Sequence, residues 1–195
     1  VSYVTSTFDE RALEIVRRGG VGLVPSDTIY GLSCAALNEQ AVLKLHKLKD
    51  RSGTKPFIIL ISDLEMLDLL SINISNLGAV ADYWPGPLTA IFPAESAPSW
   101  LHLGLKTLAV RMPNQADLKE FISKTGPLIS TSANLEGQPP VGSSDDAKQL
   151  FGEQLDFYID KGRLNNQEPS TIVSIVEGQL KVIRQGKLKI KGEQK

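Results

Sequence analysis

With 195 residues, 42% of them hydrophobic, a formal charge of −1 and a pI near 6.2, the chain has the balance of a soluble globular domain that can bury a core. Near-neutrality removes any global electrostatic case for binding nucleic acid or a membrane surface. A single cysteine, Cys34, rules out an internal disulfide, and with only His46 and His102 beside it the composition argues against a Cys/His zinc site.

Thr7 and Glu10 have capping-box spacing before "FDERALEIVRR", where apolar positions 8, 12, 13, 15 and 16 fit a helix stopped by Gly19 and Gly20. "VGLVP" (21–25) reads as a short buried strand running into a polar turn, and 39–49 as a second helix carrying Ala41, Val42, Leu45 and Leu48. "PFIILI" (56–61) is a strand; Ser62 and Glu65 form a second capping box before a helix at "DLEMLDLL". A short helix begins at Ser75 or Asn76 and ends at Trp84, and "WPGPLT" is a stiff corner without a catalytic role. Strands follow at 88–94 and 107–113, a helix at 114–124, a strand at 127–131 and a helix at 145–152. Three short strands, "FYIDK", "TIVSIV" and "LKVIRQG", close the domain at residue 186, and a Lys-rich tail (187–195) frays. Irregular alternation of helices and strands predicts one α/β domain with a twisted mixed sheet. No apolar run approaches a membrane span and the first residues lack a signal-peptide pattern, so a cytoplasmic protein is expected.

Polar residues in turns after strands are the candidates for chemistry. Lys44, Lys47, Lys49, Arg51 and Lys55 cluster around a Ser-Gly loop against Asp50 alone. Such a run is a solvated helix face, a phosphate-binding loop or a nucleic-acid patch, although no aromatic residue lies among the cations to stack a base. "STSAN" (130–134) offers hydroxyls and an amide, a pattern that turns and caps share. Arg111, inside the apolar "LAVRMP", needs an anionic partner, either a structural carboxylate or a ligand. Arg184 in "VIRQG" repeats that pattern near the chain end. P-loop, Rossmann, GxSxG and HExxH motifs do not occur; His46 reads as covering a helix face and His102 as a loop residue without an evident partner.

In order, "VPSDTIYGLSC", "KLKDRSGTKPFIILI", "WPGPLT", "LAVRMP", "STSANLEGQPP", "PSTIVSI" and "VIRQG" resemble the blocks of the YrdC/TsaC family, the threonylcarbamoyl-AMP synthases of tRNA modification. The resemblance spans about residues 20–186 and implies a short, single-domain form, the chain ending before the extra domain of the long form. It implies a largely antiparallel mixed sheet with flanking helices around a concave basic cavity. It implies ATP, with Mg2+, L-threonine and bicarbonate as substrates, no protein-held metal site, and a downstream threonylcarbamoyl transferase complex. By resemblance Lys49 and Arg51 are catalytic, and Arg51, Lys55, Thr107, Ser132, Asn134 and Arg184 bind ATP. Thr28, Arg111, Ser130 and Ser170 bind threonine.

The chain departs from the family pattern at Ser52, at Ser26 and Asp27, and at Pro140, where a proline, a Thr-Glu pair and a serine are usual. Those departures leave a YciO-like paralogue as an alternative; separate competing readings are an RNA-binding module in ribosome or RNA maturation with weak tRNA or double-stranded RNA affinity, and carbamoyl transfer as in hydrogenase maturation.

Overall fold

The computed structural model describes residues 1–49, 56–164 and 168–190. Its strands are β1 (Tyr3–Thr5), β2 (Gly22–Pro25), β3 (Tyr30–Ala35), β4 (Ile58–Leu60), β5 (Leu88–Pro93), β6 (Thr107–Arg111), β7 (Leu128–Ser132), β8 (Phe157–Ile159), β9 (Thr171–Val176) and β10 (Gln179–Arg184). All join one sheet in the order β1-β8-β2-β3-β7-β4-β6-β5-β9-β10. The pairs β1/β8, β8/β2, β4/β6 and β5/β9 are parallel and the other five antiparallel, so the sheet is mixed and mostly antiparallel as predicted.

The helices are α1 (Glu10–Arg17), α2 (Glu39–Leu48), α3 (Met66–Leu69), α4 (Ser99–His102), α5 (Ala116–Thr125) and α6 (Ser144–Phe151). Their apolar stripes bury Ala12, Leu13 and Val16 from α1, Ala41, Val42 and Leu45 from α2, and Leu118, Phe121 and Ile122 from α5. Both predicted capping boxes are displaced. Asp9, not Thr7, accepts the Ala12 N–H (2.9 Å), and Asp63, not Ser62, accepts the Met66 N–H (3.2 Å). A carboxylate nearer the helix, by two positions in the first case and one in the second, outcompeted the hydroxyl. The helix predicted up to Trp84 is a pair of 3₁₀ turns, Ile74–Asn76 and Gly78–Tyr83, the second opened by Gly78 at φ +47°.

Three elements were not predicted: β1, β3 and α4. Five of the six residues of β3 are buried, because the strand sits mid-sheet with both faces covered, so the apolar–polar alternation that marks a half-exposed strand is absent. Residues 187–190 of the tail make contacts with the domain, and 191–195 lie outside the described residues. Lys187 N–H donates to Pro169 O (2.9 Å), Thr171 Oγ1 donates to Leu188 O (2.6 Å), and Leu188 and Ile190 pack on the core.

Register, more than any single element, prepares a site. Ser130, Ile58, Ala109, Ile91 and Ser174 are successive cross-strand partners, so they form one row across β7, β4, β6, β5 and β9. All are half-buried, whereas the alternate residues Ile59, Leu108, Val110, Ala90 and Val173 are buried against the opposite layer. Across these five strands one face is therefore core and the other a partly open wall.

Candidate active site

That open wall lines a cavity of about 310 Å³, bordered by Ser26, Thr28, Phe57, Arg111, Ser130, Ser132, Asn134, Ser170 and Arg184 among others. Its charged lining, among the described residues, is Arg111 and Arg184. Register explains why two arginines distant in sequence share it. Arg111 lies two residues from Ala109 on β6 and Arg184 pairs with Ile172, two residues from Ser174 on β9, so both extend the same face. A larger cavity, about 450 Å³, opens beside Gly19, Gly20, Lys44 and Asp156, but there Lys44 is committed to Asp156 at 2.6 Å.

Arg111 is 4% exposed. Its Nε donates to Gly86 O (3.1 Å), Nη1 donates to Thr28 Oγ1 (2.8 Å), and Nη2 pairs with Asp27. The second Asp27 oxygen accepts the Asn114 N–H at 3.2 Å. Burial pushes the guanidinium pKa down and Asp27 pulls it back up; an arginine stays charged throughout. These contacts use three of five N–H groups, leaving one on each terminal nitrogen. The carboxylate partner that an apolar strand demands is thus Asp27, and the side chain still reaches the cavity. "WPGPLT" has a part here that the sequence did not reveal: its Gly86 carbonyl holds Arg111.

Glycines set the hydroxyls in place. A Cβ on Gly31 would lie 2.9 Å from Ser130 Oγ and 3.2 Å from Thr131 O, so a side chain there would turn that hydroxyl aside. Ser170 Oγ is fixed by Thr89 Oγ1 at 2.8 Å, and Arg184 Nη2 donates to Ser170 O at 2.8 Å. Burial lowers the Arg184 pKa. After β7, Ser132 Oγ donates to Asn134 Oδ1 (2.7 Å), and Lys49 Nζ donates to Ser132 O, Asn134 O and Asn134 Oδ1 at 2.8, 2.6 and 2.7 Å.

The fold thus gathers Thr28, Arg111, Ser130, Ser132, Asn134, Ser170 and Arg184 on one cavity. Lys49 borders an adjoining space of about 140 Å³ that shares Ser132 and Asn134. Thr107 is not in the lining; it stands four residues before Arg111 on β6, ~13 Å away along a strand, opposite Pro93. Arg51 and Lys55 lie outside the described residues. Asp27 and Gly86 were missed; Asp27 stood in the quoted "PSDTIYG", but nothing local marks it as the partner of a residue 84 positions away. His102 Nδ1 accepts the Gly104 N–H at 3.0 Å, and His46 stacks on Phe57 at 4.2 Å. Cys34 is inert: burial pushes its thiol to about 12. Among the described residues no His/Cys/Asp/Glu group is placed to hold a metal ion, and no helix is long and apolar enough to cross a membrane.

A mixed sheet whose open face presents two arginines among hydroxyls and an amide is an α/β scaffold whose cavity carries donors of the kind that suit a small anion. The chain belongs to the Sua5/YciO/YrdC family, whose profile, described as "Telomere recombination", matches residues 14–186. It is 35% identical over 175 residues to a threonylcarbamoyl-AMP synthase of Pseudoalteromonas translucida, covering 87% of this chain and 94% of that protein. A crystal structure of P. abyssi Sua5 complexed with L-threonine superposes with a TM-score of 0.84 at 30% identity, over 95% of this chain and 57% of that one. E. coli YciO, at 24% identity and a TM-score of 0.84 over 98% of both chains, shares the fold.

Proposed function

We propose that this chain is an L-threonylcarbamoyladenylate synthase. It converts ATP, L-threonine and bicarbonate into threonylcarbamoyl-AMP and pyrophosphate, in the cytoplasm, for N6-threonylcarbamoyladenosine modification of tRNA. The observation that carries this is convergence: "PSDTIYG", "LAVRMP", "STSAN", "PST" and "VIRQG", spread along the whole chain, each contribute lining residues to one cavity. The synthase relatives and the threonine-bound neighbour support it.

In this reaction the threonine amine adds to the bicarbonate carbon, and loss of water gives a carbamate. A carbamate oxygen then attacks the α-phosphorus, and the bond to the β-phosphate oxygen breaks to release pyrophosphate. Arg111 meets the threonine carboxylate through its two remaining N–H groups. Because Asp27 already balances its charge, recognition depends on the rigid guanidinium fork more than on net charge. Thr28, Ser130 and Ser170 complete the threonine side. Arg184, Ser132 and Asn134 serve ATP, and Arg51 and Lys55 meet its phosphates. Positioning three substrates together supplies much of the rate, and cations offset charge that develops on phosphate. The described lining holds no carboxylate, so Mg2+ fits this site as part of the Mg–ATP substrate, held by phosphate oxygens. A separate transferase complex takes the threonylcarbamoyl group onward.

Mass spectrometry of a reaction containing ATP, threonine and bicarbonate tests this directly. The threonylcarbamoyl-adenylate mass is expected, with pyrophosphate released only when threonine and bicarbonate are both present. ATP turnover indifferent to threonine, or a preference for carbamoyl phosphate, would overturn the assignment.

A further inference from the structure

Lys49 stands at the C-cap of α2, where a regular helix ends. It is 5% exposed, which is rare for a lysine unless its charge is met. An ammonium group carries three protons, and among the described residues Lys49 Nζ donates to three acceptors at 2.8, 2.6 and 2.7 Å: Ser132 O, Asn134 O and Asn134 Oδ1. Two of these are main-chain carbonyls on either side of Ala133. Without a cation between them their dipoles would repel, so the ammonium fixes the path of the chain as it leaves β7.

The same cation sets the side chains. Asn134 Oδ1, held by Lys49, also accepts Ser132 Oγ at 2.7 Å, and Asn134 Nδ2 donates to Gln138 O. The Asn134 amide can satisfy all these contacts in only one orientation. Ser132 and Asn134 both line the cavity, whereas Lys49 is outside its lining and borders an adjoining space that shares those two residues.

We infer that Lys49 is a positioning residue: it presets the Ser132–Asn134 loop for the nucleotide and does not itself contact the phosphates. The role in nucleotide use rests on the synthase reading above; the preset loop does not, because these bonds exist in the protein alone. A lysine that contacts phosphate directly would lose affinity independently of the loop, whereas the part of the Lys49 effect that passes through the Asn134 amide disappears once that side chain is gone.

A double-mutant cycle of Lys49→Met and Asn134→Ala, read by calorimetric titration with ATP, tests the coupling. Each single substitution is expected to weaken ATP binding about tenfold, and the double variant by clearly less than the product of the two losses, since Asn134→Ala leaves Lys49 its two main-chain acceptors. Independent effects, with losses that multiply, would overturn the inference. Since Lys49→Met leaves three acceptors unmatched and can unfold the chain, lysine-labelled wild type provides a second readout by nitrogen-15 NMR. Without ligand, the Lys49 ammonium protons should exchange slowly, and ATP should leave the Nζ resonance in place. Fast exchange in the free protein, or a large Nζ shift on adding ATP, would overturn it. If wild type binds no ATP at all, the synthase reading fails, and slow or fast ammonium exchange still decides whether Lys49 presets the loop.

Discussion

Asp9 ties the start of the sheet to the first helix. One carboxylate oxygen accepts the Ala12 N–H, and the other accepts Tyr3 OH and Thr5 Oγ1, both at 2.7 Å. Partial burial pushes its pKa up, but the hydrogen bonds from Thr5, Ala12 N–H and Tyr3 outweigh that and leave it lowered. A lowered carboxyl pKa contributes stability above the unfolded-state value and loses it as pH falls through the folded-state value. Asp9→Ala should therefore cost ~1 kcal/mol in urea unfolding at neutral pH, and the gap from wild type should close in acid, below the ordinary aspartate range. A gap unchanged across that range would show that packing, and not the cap, supplies Asp9's contribution. Capping logic located the helix start to within two residues, since Thr7 and Asp9 both suit the role; the choice fell to the carboxylate that β1 also needs.

Gly186 shows how an element serves the cavity without touching a ligand. It follows β10 and packs on the backbone of the segment before β9: a Cβ there would lie 2.2 Å from Pro169 O and 2.6 Å from both Ser170 C and O. Its N–H donates to Thr171 Oγ1 at 3.0 Å. The obstacles are backbone atoms, which cannot rotate aside, so Gly186→Ala must push the Pro169–Ser170 segment away. We expect a loss of about 1–3 kcal/mol in the urea unfolding free energy, together with a raised KM for threonine, because Ser170 moves with that segment. Unchanged stability would mean that the hairpin slides to relieve the clash. From the sequence, "VIRQG" supplied an arginine and a glycine with no visible relation; packing gives each its task.

Across the whole molecule, the sheet order interleaves segments that the chain keeps far apart. β4, β5, β6, β7 and β9 become neighbours, and only then do Arg111 and Arg184 share a face. Arg111 is fixed by Asp27, Thr28 and Gly86, while Arg184 leans on Ser170 O. The two should therefore fail differently. Arg111→Ala is expected to raise the KM for threonine about tenfold or more with a smaller change for ATP, and Arg184→Ala to do the reverse. Steady-state pyrophosphate release with each substrate varied in turn measures both. Equal effects on both substrates would show that the cavity is not divided as assigned.

The amino-acid order was sufficient for whatever depends on near neighbours. Apolar spacing marked α1, α2 and α5, runs of β-formers marked β5, β6 and β9, and the ordered motif blocks pointed to the family that the profile match bears out. It was insufficient where partners come from afar. Asp27 as counter-ion to Arg111, Gly86 O as its third support, and the loop after β7 as the seat of Lys49 link residues 84, 25 and 83–85 positions apart. Local propensity carries no information about such pairs, because sheet register brings them together. A buried cation announces in sequence that it needs acceptors; the folded sheet chooses them.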